Sequence, residues 1–212
     1  MRSLLTITFS LLALFAFSTC SFADVIDNSG GGFAIPDNDT NGFSTTIFIA
    51  DSELITDVDV TLAGISHTFV GDLIVRISSP NGTTADLFNR TGIPIIAAGS
   101  NANLGGTYTF SDGGDDWSSE AFSTSNSGIM FDGTYEASGF SDVAVSLATA
   151  FGTENTAGTW TLSISDNSSG DSGTLTSWGL NITSTAVPEP GSIAVFGLLG
   201  LGLAMRRKRT FA

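Results

Sequence analysis

His67 is the only histidine in 212 residues. It stands in Ile65-Ser66-His67-Thr68-Phe69-Val70-Gly71-Asp72-Leu73, with hydroxyls and a carboxylate close by. An imidazole suits general-base work near neutral pH, but it needs a nucleophile at one nitrogen and an orienting carboxylate at the other. Ser66, Ser78 and Ser79 supply hydroxyls and Asp72 a carboxylate, yet none of these serines sits in a Gly-x-Ser-x-Gly turn that would expose a nucleophile. A spacing of five puts His67 and Asp72 on opposite faces of a regular strand. A turn at Val70-Gly71 would bring them together, and such a pair fastens a corner of the fold rather than activating a serine. No catalytic residue is expected, and His67 is read as structural.

Clustered carboxylates offer a second chemistry. A hard cation such as calcium takes six to eight oxygens from carboxylates, carbonyls and water. Asp112, Asp115 and Asp116 lie on one flexible, glycine-rich loop, and Asp166 with Asp171 brackets another; with Asp72 these six are the candidate calcium ligands. Plain solvated hairpins have the same composition, so both readings stay open. Asp37-Asn38-Asp39-Thr40-Asn41-Gly42 begins like an EF-hand loop, but its twelfth position is Phe48 where a bidentate glutamate is needed. An Asx turn is the better account of it. Tyr108, Phe110, Trp117 and Tyr135 could form a sugar-stacking face, although their spacing fits core packing better.

The elements that must position these groups follow a period of two. Val58, Val60 and Leu62, then Leu73, Val75 and Ile77, then Trp160, Leu162 and Ile164 alternate with other residues, as strands with one buried face do. Clusters of Gly, Asn, Asp and Ser, such as Pro80-Asn81-Gly82 and Asn167-Ser168-Ser169-Gly170, supply the turns between them. The nearest approach to a helical stripe, Val143 to Phe151, is short. The expectation is an all-β, antiparallel sandwich or jelly roll. Near the end the apolar parity changes, from Leu175 to Trp178, Leu180 and Ile182, which predicts a bulge near Ser177.

The two ends differ from this body. Arg2, an apolar run from Leu4 to about Phe17, and Ser21-Phe22-Ala23 read as a secretory signal peptide over 1–23, with cleavage after Ala23. Cys20, the only cysteine, lies within it, so the processed chain would carry no disulfide. The body, 24–186, then holds twenty acids against Arg76 and Arg90 alone, a net charge of −18. Such a surface disfavours nucleic acid and anionic lipid as partners.

At the other end, 187–212, Pro188-Glu189-Pro190 precedes an apolar run from Ile193 to Met205 and the cluster Arg206-Arg207-Lys208-Arg209. A helix over that run would be about 20 Å long, short of the ~30 Å hydrocarbon core, so it suits transient membrane contact better than a permanent anchor. This order of elements resembles the PEP-CTERM sorting tail. The resemblance implies processing by an exosortase-type enzyme near Pro188-Glu189-Pro190 and delivery to the cell envelope, the outer surface or extracellular polymer.

The body carries a resemblance of its own. His67-Thr68-Phe69-Val70-Gly71-Asp72-Leu73 followed by Ser79-Pro80-Asn81-Gly82-Thr83 is similar to the core motif of the P domain, or P/Homo B domain. Gly158-Thr159-Trp160-Thr161-Leu162, Asp166, Gly170-Asp171-Ser172-Gly173 and Trp178-Gly179-Leu180 resemble that domain's closing motifs. The signature positions are His67, Gly71, Asp72, Pro80, Gly82, Thr83, Trp160 and Trp178. The resemblance implies a jelly-roll-like β-sandwich of about eight strands, which in proprotein convertases and bacterial subtilisin-like enzymes follows and stabilises a protease domain. It also implies that calcium is a candidate cofactor. The function expected is that of an exported non-catalytic module binding at the cell surface or in extracellular polymer. The alternatives are an accessory domain for a separately encoded subtilisin-like endopeptidase and a calcium-dependent carbohydrate-binding jelly roll; a secreted protease or an extracellular polysaccharide is the corresponding partner.

Overall fold

The computed structural model describes residues 23–124 and 126–186. Among them ten strands run as β1 (Ala23–Ile35), β2 (Phe43–Ile49), β3 (Glu53–His67), β4 (Leu73–Ser78), β5 (Thr84–Asn89), β6 (Leu104–Asp116), β7 (Gly133–Ser138), β8 (Ala144–Val145), β9 (Gly158–Asp166) and β10 (Gly173–Ala186). Two short helices, α1 (Trp117–Ser123) and α2 (Leu147–Phe151), interrupt them. One layer has the order β1-β10-β3-β6 and the other β2-β9-β4-β5. β7 joins the layers, and on the far side Phe33 of β1 meets Phe43 of β2 with ring centroids 4.6 Å apart.

The alternation in the sequence is what makes these layers. Val58, Val60 and Leu62 of β3, Val75 and Ile77 of β4, Trp160, Leu162 and Ile164 of β9, and Trp178, Leu180 and Ile182 of β10 all turn into one core. Each large apolar side chain so enclosed contributes about 1.5–3 kcal/mol. An aromatic group of Phe88, Tyr108, Phe110, Trp117 and Tyr135 fills the space beneath β7, with Phe88 stacked on Trp117 at 4.7 Å.

The all-β sandwich is as expected, with differences of detail. There are ten strands, and pairing is antiparallel except at β7, which lies parallel to both β6 and β5. The chain from β6 to β7 passes through α1, a crossover long enough for a parallel connection. Asp116 starts α1 by accepting the Ser119 N–H at 2.6 Å, a conventional N-cap. Within Val143 to Phe151 only Leu147–Phe151 is α-helical.

The parity change has a different origin from the one expected. β10 keeps the same register to β3 on both sides of Ser177, from Thr174↔Ser66 to Ser177↔Ala63. The irregularity lies in β3, where pairing with β6 shifts between Leu62 and Ile65. Gly64 sits there at φ +61°, a conformation that favours glycine, and its carbonyl accepts the Thr176 hydroxyl at 3.1 Å. Both strands change face together at that point.

Among the described residues no helix is long and apolar enough to cross a membrane. Ala23 is the first residue of β1. Residues 1–22 and the tail positions Pro188, Glu189, Pro190, Arg206, Arg207, Lys208 and Arg209 lie outside the described residues.

Candidate functional site

β3 ends at His67, opposite Gly173 of β10 and Leu104 of β6. A Cβ on Gly173 would stand 2.9 Å from the His67 ring, so the close approach of these strands requires glycine. The His67 side chain is fully enclosed. Its Nε2–H donates to Asp166 Oδ2 at 3.3 Å, and Nδ1 accepts the Phe69 N–H at 3.2 Å. The Phe69 carbonyl lies 3.1 Å from the same Nδ1. The expected His67–Asp72 pair is therefore corrected: the orienting carboxylate is Asp166, delivered by β9, because the antiparallel layers bring the ends of β3 and β9 together.

Neither ring nitrogen touches a serine, threonine or cysteine among the described residues. Ser66 points the other way and shares a 3.0 Å hydrogen bond with Thr174. The arrangement joins the base to a carboxylate and to backbone, without the base–nucleophile contact of a hydrolase proton relay among the described residues.

Asp72 ends a single 3₁₀ turn, Val70–Asp72, that plugs the same end of the sandwich. Gly71 within it touches Gly99 and Ser100 so closely that an added Cβ would come to 2.8 Å. Arg90 braces the turn, with Nε donating to Gly71 O at 2.8 Å and Nη1 to Asn167 O at 3.3 Å. Asn167 in turn donates its N–H to Asp72 O at 2.8 Å. Asp72 is a buried residue, and no hydrogen bond reaches its carboxylate among the described residues, although neither oxygen is fully sealed from solvent. Burial first, and the Asp166 charge next, push its pKa up to about 6, with Arg90 offsetting part of the rise.

The other signature residues lie in a turn and in the core. Pro80 and Gly82 form the turn between β4 and β5, with Gly82 at φ +89° and its N–H donating to Ser79 O at 3.0 Å. Thr83 donates to Glu154, tying that turn to the loop after α2. Trp160 and Trp178 are buried, and Trp160 Nε1 donates to Thr156 O at 3.0 Å.

The six candidate calcium ligands divide between β6, which carries Asp112, Asp115 and Asp116, and the His67 end of the sandwich, near which Asp72, Asp166 and Asp171 lie. Asp112 is not on a loop but in β6, where it caps α2 from the side, accepting the Leu147 N–H at 2.6 Å and the Ala148 N–H at 3.2 Å. Asp116 caps α1, and the Ser119 and Ser118 hydrogen bonds hold its carboxyl below the usual range. Asp115 is exposed on β6 beside Tyr135. Asp166 serves His67, Asp171 accepts the Thr68 hydroxyl, and Asp72 stands unpaired. Among the described residues no three His, Cys, Asp or Glu side chains gather as a donor set for a metal ion. This arrangement does not fit a preformed calcium cage.

The EF-hand-like segment is an Asx turn: Asp39 accepts the N–H of Asn41 at 3.1 Å and of Gly42 at 3.3 Å. The aromatics pack in the core, as their spacing suggested, and form no sugar-stacking face. Tyr108, Phe110, Trp117 and Tyr135 are all buried, and their polar atoms are spent internally, as in Trp117 Nε1 to Thr91 at 2.9 Å. An open groove of about 320 Å³ lies beside β7 and β8, lined by Asp112, Glu136, Ala144, Val145 and Ser146. It has carboxylates but no base–nucleophile pair.

The model of the proprotein convertase P-domain matches residues 55–182, and that of the PEP-CTERM protein-sorting motif matches residues 186–209. No curated protein matches the chain. Among solved structures it is similar to the serine protease of Aeromonas sobria in complex with the chaperone ORF2, at 17% identity over 77% of this chain and 28% of that one, with a TM-score of 0.46. A second structure, the serine protease of Aeromonas sobria, matches at 16% identity over 76% and 27%, with a TM-score of 0.42. The chain spans little more than a quarter of the length of those two proteins.

Proposed function

Because the chain belongs to the proprotein convertase P-domain family, we propose that it acts as an exported, non-catalytic binding or structural module at the cell surface or in extracellular polymer. The observation that carries this reading is the enclosure of His67, whose nitrogens serve Asp166 and the Phe69 backbone. The sorting motif at 186–209 supports handling by an exosortase-type system, with the tail touching the membrane before processing. Both cations of the body have partners: Arg76, exposed on β4, pairs with Asp86 at 2.5 Å, and Arg90 binds backbone carbonyls. The surface offered to a partner is therefore anionic, which favours a cationic or cation-bridged partner over nucleic acid.

Fractionation of cells producing the whole chain tests the sorting half of the reading. Substituting Pro188, Glu189 and Pro190 by alanine is expected to hold the full-length protein in the membrane fraction, while the parent reaches the outer surface or medium. Identical distribution of the two would contradict it.

The family's association with convertases favours a second reading, an accessory domain that stabilises a separately encoded subtilisin-like endopeptidase. It predicts that adding the chain slows thermal inactivation of such an enzyme from the same secreted fraction. An unchanged inactivation half-life would remove it.

A further inference from the structure

β1 begins and β10 ends at one pole of the sandwich. β10 is an inner strand of its layer, paired with the edge strand β1 on one side and with β3 on the other. The pairs Ala23↔Thr185 and Ala186↔Glu53 mark this pole, while Ile35↔Gly173 and Gly173↔His67 lie at the opposite one. The match to the sorting motif starts at residue 186, which is also the last residue of β10. Pro188 follows two residues later in the sequence, a reach of about 7 Å for an extended chain.

The last three residues of β10 are set apart within the ladder. Between Thr183↔Asp57 and Ser184↔Ile55 the register shifts, leaving Thr56 as an extra residue of β3 with its hydroxyl on Thr183 O at 2.9 Å. A bulge of this kind interrupts a ladder and is a place where pairing can stop. Beyond it, Ser184 is fully buried and donates its hydroxyl to Glu53, and Thr185 and Ala186 pair with Leu54 and Glu53. β3 is itself pinned there. Glu53 N–H donates to the Thr156 hydroxyl at 3.0 Å, Thr156 N–H to Glu53 O at 2.9 Å, and Ile55 N–H to Glu154 O at 3.0 Å.

We propose that Ser184–Ala186 is a release catch for the sorting tail, which must unpair back to the bulge before the processing enzyme can seat Pro188-Glu189-Pro190. The inference rests on the exosortase-type reading above and adds to it a regulation by the folded body. Cutting near the triplet breaks one peptide bond, passes its acyl group to water or to an acceptor amine, and leaves an amine on the tail. The enzyme's cleft must hold the chain extended on both sides of that bond. With the catch closed, only Val187 separates the sheet from the triplet, too little chain for the upstream side of a cleft. With it open, residues 184–187 can extend over about 14 Å. The fraction of molecules with this end unpaired therefore sets the rate at which the tail is cut.

The test follows conversion of the full-length chain to the trimmed one by pulse–chase in the producing cells. Inserting Gly-Ser-Gly-Ser between Ala186 and Val187 supplies free chain without opening the sheet. It should speed trimming at least about threefold, the equivalent of one ladder hydrogen bond that no longer has to break. Leu54→Cys with Thr185→Cys staples the catch, because opposite residues of an antiparallel pair have Cα atoms ~4.5–5.5 Å apart, within the span of a disulfide. Trimming should slow in the stapled chain and return to the parental rate when a reductant is added. An inserted chain trimmed no faster than the parent, or a stapled chain trimmed at the parental rate, would overturn the proposal. Should the staple fail to form, the insertion alone decides. Substituting Pro188, Glu189 and Pro190 by alanine keeps the two readings apart. Trimming that ignores this change sinks the sorting reading and the catch with it, whereas trimming that needs the triplet yet is indifferent to the insertion removes the catch alone.

Discussion

Asp166 is the residue on which His67 depends. Removing its carboxylate leaves the enclosed Nε2–H without an acceptor, and an orphaned buried donor costs about 1–3 kcal/mol. Asp166→Ala should therefore lower the urea midpoint by that equivalent, and Asp166→Asn, whose amide oxygen can still accept, by less. Equal stability of Asp166→Ala and the parent would contradict the structural role. The sequence marked His67 as a position without an accompanying nucleophile pattern. It did not disclose the partner, because Asp166 is 99 residues away and only strand pairing brings it near. Asp72, five positions off, was the nearer candidate, but the 3₁₀ turn that brings it close leaves its carboxylate unpaired.

At the level of elements, the caps are where residue types mislead. Asp and Ser serve a helix N-terminus as well as they serve a cation, so Asp112-Gly113-Gly114-Asp115-Asp116 reads as a calcium loop or a solvated hairpin, and the caps of α1 and α2 are not among its readings. The signal for α1 was present as Asp116 ahead of Trp117 and Ala121, an apolar pair four apart. Asp116→Ala should cost about 1 kcal/mol and loosen the crossover that sets β7 parallel to β6, measured as faster amide exchange across Trp117–Ser123. The carboxyl's lowered pKa means that its contribution is present above the ordinary 3.8 and is lost as pH falls through the folded value. Unaltered exchange would show that the helix does not rely on its cap. Strands with clean alternation, β3, β4 and β9, were legible because one buried face imposes the period. The parallel pairing of β7 was not, since it depends on a non-local crossover.

For the molecule as a whole, the two family matches and the charge point the same way. The P-domain fold supplies a stable body with no cysteine in its described residues, and the sorting motif is appended where β10 ends. The acidic surface was legible from composition alone; that both arginines are already paired was not, because it needs the positions of Asp86, Gly71 and Asn167. The central claim is that the one base of this body is a fastening and not a catalyst. Hydrolysis of a mixed peptide substrate by the purified whole chain, beside its His67→Gln variant, tests it most directly. Both should release product at the rate of buffer alone, with the variant melting lower than the parent. Turnover by the parent that disappears in His67→Gln, while the variant remains folded, would contradict the account.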